Sequence, residues 1–297
     1  MKHYAPDYYE DFKCLMGDCK HSCCIGWEID IDDDTAEYYK TIPGKFGERL
    51  MQNIDFGEEC ACFILGENER CPFLNEKGLC DIIINLGEKA LSQVCDDHPR
   101  FRNFYESRTE IGLGLCCEAA AKLVLEKETK TKIIEIGDDG EEFDFPAEEA
   151  EFFETRQKVF EVLQKREIPV EERIEEALSL CGAKLPEKSF KDWAKIYLEL
   201  ERLDEKWTEV LLKIAEDDTA LEIKNPLAAE QLLCYYFFRH FAPERPETAA
   251  FSVLCYYMTE MAAKFTGMEE AARLYSSEIE YSDENEEKLL DVIKNEV

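Results

Sequence analysis

The chain has 297 residues, of which 45% are hydrophobic and 11% aromatic. This composition excludes wholesale disorder, and the length suffices for one large domain or two modest ones with a buried core. The 67 acidic and 35 basic residues give a net charge of −32. Such a surface repels phosphate backbones, and no local basic patch offsets it, so we expect no nucleic-acid binding.

No segment of the sequence is long and apolar enough for a transmembrane helix, so we expect no membrane insertion. The first ten residues include Lys2, Asp7 and Glu10 and lack the apolar core of a secretory signal. We therefore expect a cytoplasmic location.

Cysteine is the most informative residue type, because eleven of the fourteen cysteines lie within the first 117 positions. A reducing compartment disfavours structural disulfides, and a cysteine cluster there is more often a metal or redox site. Residues 1–130 are therefore predicted to be a cysteine-cluster metal-binding domain. We expect it to consist of short helices and loops around a centre, since its ligands come from distant positions.

Four cysteine blocks follow one another in this region. They run from Cys14 to Cys24, from Cys71 to Cys80, from Cys95 to Arg100 and from Cys116 to Ala120. Thiolates suit zinc, copper(I) and iron–sulfur clusters. The chain has no Cys-x₂-Cys pair, which zinc sites commonly use, but it has wide spacings and a Cys-Pro step. An iron–sulfur cluster is therefore favoured, with zinc as the alternative.

The number of metal centres stays open. Adjacent cysteines, as in Cys23-Cys24 and Cys116-Cys117, point in different directions, so one member of a pair can face a metal while its neighbour packs elsewhere. One cubane cluster needs four ligands, and two clusters, or one cluster with a zinc, are also possible. The predicted metal ligands are Cys14, Cys19, Cys23, Cys24, Cys71, Cys80, Cys95 and Cys117.

Other residues of this region receive weaker assignments. His21 and His98 lie inside cysteine blocks and could each replace a thiolate, but a hydrogen-bonding role beside the metal is favoured. The Cys60-Ala61-Cys62 segment lies outside the recognisable blocks and is the pair least expected to ligate.

Residues 131–146 are predicted to form a small β-hairpin that connects two regions. Its two β-prone arms, 131–136 and 141–145, flank an Asp-Gly turn, and Pro146 ends the second arm.

From residue 147 to residue 297 the pattern is helical. Apolar residues recur at helical spacing from Phe152 to Leu163 and again over a longer stretch from Trp193 to Ile214. Further helices are expected near 227–242, 247–266, 268–279 and 284–295. The rings of residues 235–238 are expected to fill a helix-bundle core, and Cys181, Cys234 and Cys255 are expected to be small buried apolar residues.

The predicted fold class is therefore mainly α. It combines an irregular cysteine-rich metal-binding N-terminal region with short helices, a small β-hairpin and an α-helical bundle. Several common active-site motifs are absent: the sequence has no Gly-x-Gly-x-x-Gly, no Walker loop and no serine-hydrolase elbow. The Cys-x₃-Cys-x₂-Cys motif of radical S-adenosylmethionine enzymes fails because its third position is Gly26.

The ordered blocks resemble the flagellin lysine-N-methylase family. Each block is weak alone, but in series over about the first 120 residues they are specific. The matching blocks are Tyr8–Cys14, Asp18-Cys19, Ser22–Trp27, Gly44–Gly47, Arg70–Asn75, Leu79–Ile82, Leu86–Glu88, Cys95 with Pro99-Arg100, and Cys117–Ala120.

The resemblance implies methylation of lysine ε-amino groups of flagellin, which would be the protein partner. It also implies S-adenosylmethionine as methyl donor and a bound iron–sulfur cluster of the [4Fe-4S] type. The family pattern tends to Cys-Pro-Glu-Ala-Ala in the last block, whereas this chain has Cys117-Glu118 and an extra Cys116. The choice of ligand between Cys116 and Cys117 therefore stays open. His98 stands where an aromatic residue is more usual, and the helical half matches weakly.

Methylation by direct displacement needs a neutral lysine amine. Tyr8, Tyr9, Asp81 and Glu118 lie beside motif cysteines and could host that amine, but structural hydrogen bonding explains each equally well. No catalytic residue is therefore assigned. Two other functions stay open, namely a non-enzymatic interaction module stapled by metal and a redox or metal-handling protein.

Overall fold

The structure is a computed structural model that describes residues 1–57, 60–140 and 146–296. Within these ranges the chain is mainly helical, as predicted. The α-helices are α1 (Asp33–Lys40), α2 (Gly44–Gln52), α3 (Asp81–Leu86), α4 (Gln93–Asp97), α5 (Glu118–Leu125), α6 (Ala147–Leu163), α7 (Val170–Leu180), α8 (Phe190–Tyr197), α9 (Glu205–Glu216), α10 (Pro226–His240), α11 (Glu247–Thr266), α12 (Met268–Tyr275) and α13 (Asp283–Glu296). The strands are β1 (Lys2–Pro6), β2 (Asp30–Ile31), β3 (Ile54–Phe56), β4 (Ala61–Phe63), β5 (Arg100–Phe104), β6 (Arg108–Leu113) and β7 (Ile133–Asp138).

The chain divides into two compact units. The cysteine unit is Lys13–Phe101, and the helical unit contains Met1–Phe12 and the chain from Arg102 onward. These limits differ from those of the three predicted regions, 1–130, 131–146 and 147–297, which stay a prediction. Among the described residues, no helix is both long and apolar enough to cross a membrane.

The helical unit contains a four-stranded sheet in the order β5-β6-β1-β7. β1 runs parallel to β6 and antiparallel to β7, so that Tyr4 lies opposite both Glu110 and Glu135. The first arm of the predicted hairpin is therefore a strand, but the partner found for it is β1, from the start of the chain. The second arm, 141–145, lies outside the described residues.

Helices α10 and α11 are the most deeply buried elements of the helical unit. The rings of residues 235–238 are buried, which confirms their predicted place in the core. Cys234 and Cys255 are buried as well, whereas Cys181 is half-buried directly after α7. The helices expected near 227–242, 247–266 and 284–295 agree with α10, α11 and α13. The one expected at 268–279 is α12 followed by a π-helical turn, Ser276–Glu280.

The longer helical stretch from Trp193 to Ile214 is divided into two helices, α8 and α9. The backbone between them is held by side chains from the far end of the sequence. The Leu203 and Asp204 N–H groups donate to the Glu278 carboxylate at 2.9 and 2.8 Å. Asn285 accepts the N–H of Glu201 at 3.1 Å. Backbone N–H groups that leave a helix need new acceptors. Glu278 and Asn285 supply them here, so the chain can break between α8 and α9 although the apolar spacing continues across the break.

A buried charged cluster lies at the end of α10. The Glu280 carboxylate accepts a hydrogen bond from the Tyr235 hydroxyl at 2.9 Å and lies 2.9 Å from His240 Nε2. Glu280 Oε1 is also 3.3 Å from Arg239 Nε, and Glu286 Oε1 is 3.4 Å from His240 Nδ1. Burial disfavours the protonated imidazole, but Glu286 and Glu280 outweigh it and raise the pKa of His240.

The raised pKa of His240 predicts a pH-dependent contribution to stability. Protonated His240 stabilises the fold fully below its unfolded pKa of about 6.5, and the contribution is lost as the pH rises through the folded pKa. We expect His240→Gln to lower the free energy of unfolding by about 1–3 kcal/mol at about pH 6 and by less at about pH 9. Urea unfolding at both pH values measures the difference. An equal loss at both would mean that only packing is involved.

Candidate metal centre

The cysteine unit is built on a three-stranded antiparallel sheet in the order β2-β4-β3. Its inner face carries a small aromatic core: the ring centroids of Tyr39 and Phe63 are 6.4 Å apart, and those of Phe63 and Phe73 are 5.2 Å apart. The Tyr39 hydroxyl donates to the Ala90 carbonyl at 2.6 Å. Cys71 is part of this core, and three other cysteines pack against it, namely Cys24, Cys80 and Cys95.

The segment from Cys71 to Cys80 forms a closed loop. Leu74 and Cys80 face each other in an antiparallel bridge. Gly78 has a φ of +70°, a conformation that favours glycine, and its N–H donates to the Asn75 carbonyl at 3.0 Å. The turn thus brings the two cysteines of the second block to the same end of the loop.

Cys24 of the first block is joined to this loop by its backbone. The Cys71 N–H donates to the Cys24 carbonyl at 2.9 Å, and Ile25 pairs with Arg70 in an antiparallel bridge. Gly26, with a φ of +94°, follows directly and donates its N–H to the Glu69 carbonyl at 3.2 Å. Residues 24–26 and 69–71 therefore lie side by side, although many residues separate them along the chain.

Cys95 lies on α4, whose first turn is tied to α1. The Asp32 carboxylate accepts the Thr35 N–H at 2.9 Å at the start of α1 and the Gln93 N–H at 2.8 Å at the start of α4. The Ser92 hydroxyl is buried at the start of α4. It favours the thiolate form of Cys95. The third block thus reaches the same core through a capped helix start.

Cys24, Cys71, Cys80 and Cys95, here called the four-thiol cluster, interact electrostatically. Burial raises the pKa of Cys71 to about 12, and negative charge at Cys24, Cys95 or Cys80 adds to the rise. Burial likewise raises the pKa of Cys95 to about 11, with contributions from Cys24 and Cys80. Charges affect one another in this way only at short range. The core packing and the electrostatics therefore agree that the four thiols lie near one another in one core.

Backbone N–H groups are directed at two sulfurs of the four-thiol cluster. The N–H of Phe73 lowers the pKa of Cys71, and the N–H groups of Ile83 and Ile82 lower that of Cys80, in both cases against the larger effect of burial. Hydrogen bonds of this kind stabilise thiolates and tune metal-bound sulfur. The donor set therefore fits a soft metal.

Cys24 differs from its neighbours in charge state. A hydrogen bond with Cys23 lowers the pKa of Cys24 to about 7, and Ser22 and Arg70 assist against the opposing effect of burial. A substantial fraction of Cys24 is therefore thiolate at neutral pH, while the buried thiols of Cys71 and Cys95 stay protonated.

Four of the eight predicted ligands thus lie in or against one core, and a fifth, Cys23, is hydrogen-bonded to Cys24. Cys14 and Cys23 are exposed, Cys19 is half-buried, and Cys117 lies in the helical unit directly before α5. The ligand role of these four stays a prediction. In the part of the chain that the structure describes, no three Cys, His, Asp or Glu side chains are arranged to hold a metal ion as they stand. The four-thiol cluster is therefore a chemically suitable donor set but not a formed coordination site.

No family model and no solved structure matches the chain, but curated proteins do. The flagellar biosynthetic protein FliU of Salmonella muenchen is 30% identical over 129 residues, which are 40% of this chain and 75% of FliU. The chain belongs to the FliU and lysine-N-methylase family. The lysine-N-methylases of Salmonella choleraesuis and Salmonella typhimurium are also 30% identical over 129 residues. The chain spans 31% of their length. The resemblance seen in the cysteine blocks is thus confirmed.

Arg49 holds the candidate site together, although no motif in the sequence indicates it. Its guanidinium, on α2, donates to the Pro72 carbonyl at 2.6 Å and to the Asp81 carboxylate at 2.7 Å. Pro72 and Asp81 directly follow Cys71 and Cys80, so one side chain clamps both ends of the cysteine loop. Nothing in the local sequence distinguishes Arg49 from other basic residues on exposed helices.

None of the other candidate residues is given a chemical role by its position in the structure. Asp81, considered as a host for the lysine amine, is held by Arg49, while Tyr8 and Glu118 lie in the helical unit with Tyr9. His98 packs against Trp27 with ring centroids 6.2 Å apart. Burial lowers the pKa of His98 to about 4, so its imidazole is neutral. His21 is exposed.

The charge difference within the four-thiol cluster predicts a difference in reactivity. In the metal-free chain at about pH 7, we expect Cys24 to react with iodoacetamide faster than Cys71, because the thiolate is the nucleophile. Timed alkylation with peptide mass spectrometry measures both rates, and the exposed Cys14 serves as the reference for access. Equal rates at Cys24 and Cys71 would contradict the assignment.

The clamp predicts a loss of stability when Arg49 is shortened. We expect Arg49→Met to lower the free energy of unfolding by about 2–3 kcal/mol, because two acceptors lose their charged donor together. Arg49→Lys is expected to lower the free energy of unfolding by less, since a lysine ammonium can keep one of the two contacts. Urea unfolding measures the effect, and Lys45→Met, at an exposed position on the same helix, is the matched control. A result for Arg49→Met equal to that control would refute the clamp.

Proposed function

We propose that the cysteine unit holds an iron–sulfur cluster with Cys24, Cys71, Cys80 and Cys95 as its ligands. The supporting observation is the four-thiol cluster itself, which draws cysteines from three blocks into one core. Four thiolates are the ligand set of a [4Fe-4S] cluster. They also suit tetrahedral zinc, so zinc is the second candidate metal.

Binding of such a cluster has two structural requirements. The thiols must lose their protons, which the N–H groups of Phe73, Ile82 and Ile83 favour. The segments that carry them must stay close, which the backbone pairing of Cys24 with Cys71 and the Arg49 clamp provide. The bound metal would add folding free energy to a small unit.

For the whole protein we infer methyl transfer from S-adenosylmethionine to lysine side chains of flagellin. Support comes from the family, in which two members are named lysine-N-methylase and one is named a flagellar biosynthetic protein. The net charge of −32 attracts lysine-bearing partners. The acceptor amine must be neutral to attack the methyl group, and a water-poor site would favour that form.

The ligand assignment is tested by single substitutions in the anaerobically reconstituted full chain. We expect Cys24→Ser, Cys71→Ser, Cys80→Ser and Cys95→Ser each to lose most of the bound iron and its visible absorption. Cys181→Ser, which changes a half-buried thiol of the helical unit, should keep both. Iron, sulfide and zinc are measured in the same samples. Stoichiometric zinc without iron would support the zinc alternative, and full iron retention in all four variants would refute the ligand set.

The activity is tested on the same preparations with labelled S-adenosylmethionine and flagellin. We expect label on flagellin lysines with the wild-type chain and with Cys181→Ser, and little or none with Cys71→Ser. Binding of the methyl donor is measured separately. A metal-loaded chain that neither binds the donor nor transfers label would refute methyl transfer and favour the non-enzymatic interaction module.

A further inference from the structure

The outer face of the small sheet in the cysteine unit carries a second group of metal-ligating side chains. Ala61 and Phe63 of β4 point into the core and are buried. Successive residues of a strand alternate between its faces, so Cys62, which is half-buried, points outward. Cys60 lies directly before β4 and is exposed, and its thiol is 3.4 Å from a carboxylate oxygen of Asp30, the residue opposite Cys62. These two thiols are therefore separate from the inward-facing four-thiol cluster.

The strand register places carboxylates beside these thiols. Cys62 pairs with Asp30 of β2 on one side and with Asp55 of β3 on the other. Directly opposed residues share one face of a sheet, with Cβ atoms about 4.5–5.5 Å apart. Asp30 and Asp55 are both exposed, and so is Glu28, two residues before Asp30. Three carboxylates and two thiols thus share the outer face.

Each of these thiols is hydrogen-bonded to a carboxylate. The Cys60 thiol donates to Asp30 Oδ1 at 3.4 Å, and the Cys62 thiol donates to Glu28. Burial, the hydrogen bond to Glu28 and the charge of Asp55 raise the pKa of Cys62. In both thiol–carboxylate pairs, Cys60 with Asp30 and Cys62 with Glu28, a proton therefore lies between the sulfur and a carboxylate oxygen, and the surroundings are negatively charged.

We propose that this outer face binds a thiophilic divalent cation, such as Zn²⁺ or Cd²⁺, through Cys60, Cys62, Asp30 and Glu28. Two sulfur–metal bonds form, the two thiol protons pass to solvent, and no group is oxidised or reduced. The donors do not enclose a cation as they stand, since each thiol is still directed at its own carboxylate. Binding requires the side chains to turn toward one ion.

The chemistry of the donor set selects the kind of cation. Thiolates disfavour Mg²⁺ and Ca²⁺, which take oxygen ligands, while zinc accepts both cysteine and carboxylate. Asp55, opposite Cys62, adds negative charge next to the site and acts on Cys62 through that charge. Because the face is open to solvent, the bound ion is expected to exchange readily, unlike a metal held in the core.

The experiment is a Cd²⁺ titration of the full chain, followed by thiolate-to-metal absorption in the ultraviolet and by calorimetry. The wild-type chain is compared with the Cys60→Ser/Cys62→Ser variant. We expect the wild type to bind one more equivalent of Cd²⁺ than the variant, and Asp30→Asn to weaken that equivalent about tenfold or more. Asp34→Asn, at an exposed position on α1, is the matched control and should bind like the wild type.

The readout is a difference between two chains, so it does not depend on whether the four-thiol cluster holds a metal. Equal Cd²⁺ binding by the wild type and the double variant would overturn the inference and leave the proposed iron–sulfur centre standing. Zinc competition that displaces the extra Cd²⁺, together with unchanged urea unfolding of the double variant, would support it.

Discussion

The backbone pairing of residues 24–26 with residues 69–71 is the contact on which the candidate centre depends. It fixes two cysteine blocks that are far apart in sequence, and ordering so long a loop has a considerable entropic cost. The aromatic core of Tyr39, Phe63 and Phe73 and the Arg49 clamp offset part of that cost. The sheet strands have only two or three residues, so they contribute little independent stability. Metal ligation would stabilise the same contacts that bring the thiols together.

Burial and hydrogen bonding act in opposite directions on the four-thiol cluster. Burial keeps Cys71, Cys80 and Cys95 protonated, while N–H groups and the partly ionised Cys24 favour negative sulfur. A core of neutral thiols can pack without a cation, and each thiolate in it needs a compensating positive charge. The surroundings therefore suit cysteines that exchange protons for metal rather than permanently charged groups. The same balance explains why closely packed thiols need not stand in coordination geometry before a metal binds.

The sequence predicted what depends on local pattern and missed what depends on tertiary contacts. Helices α10, α11 and α13 were predicted nearly to their ends because long amphipathic or largely apolar runs dominate their segments. The strands around Cys62 were not predicted, since two or three residues are too few to show alternation. The break between α8 and α9 was also missed, because its N–H groups are satisfied by Glu278 and Asn285. The cysteine blocks marked the candidate site, but the choice of Cys24, Cys71, Cys80 and Cys95 required the fold.

In the cysteine unit, the backbone determines which thiols face the core and which face solvent. On β4, Ala61 and Phe63 face the core, so Cys62 between them faces outward among carboxylates, and the exposed Cys60 just before the strand contacts one of these carboxylates, Asp30. The cysteines that face the core instead meet apolar side chains and backbone N–H groups. A shift of one residue in this register would reverse the two faces and place carboxylates in the core, at a large cost in desolvation. The sheet register that stabilises the unit therefore also separates a protected set of sulfur ligands from a solvent-exposed one.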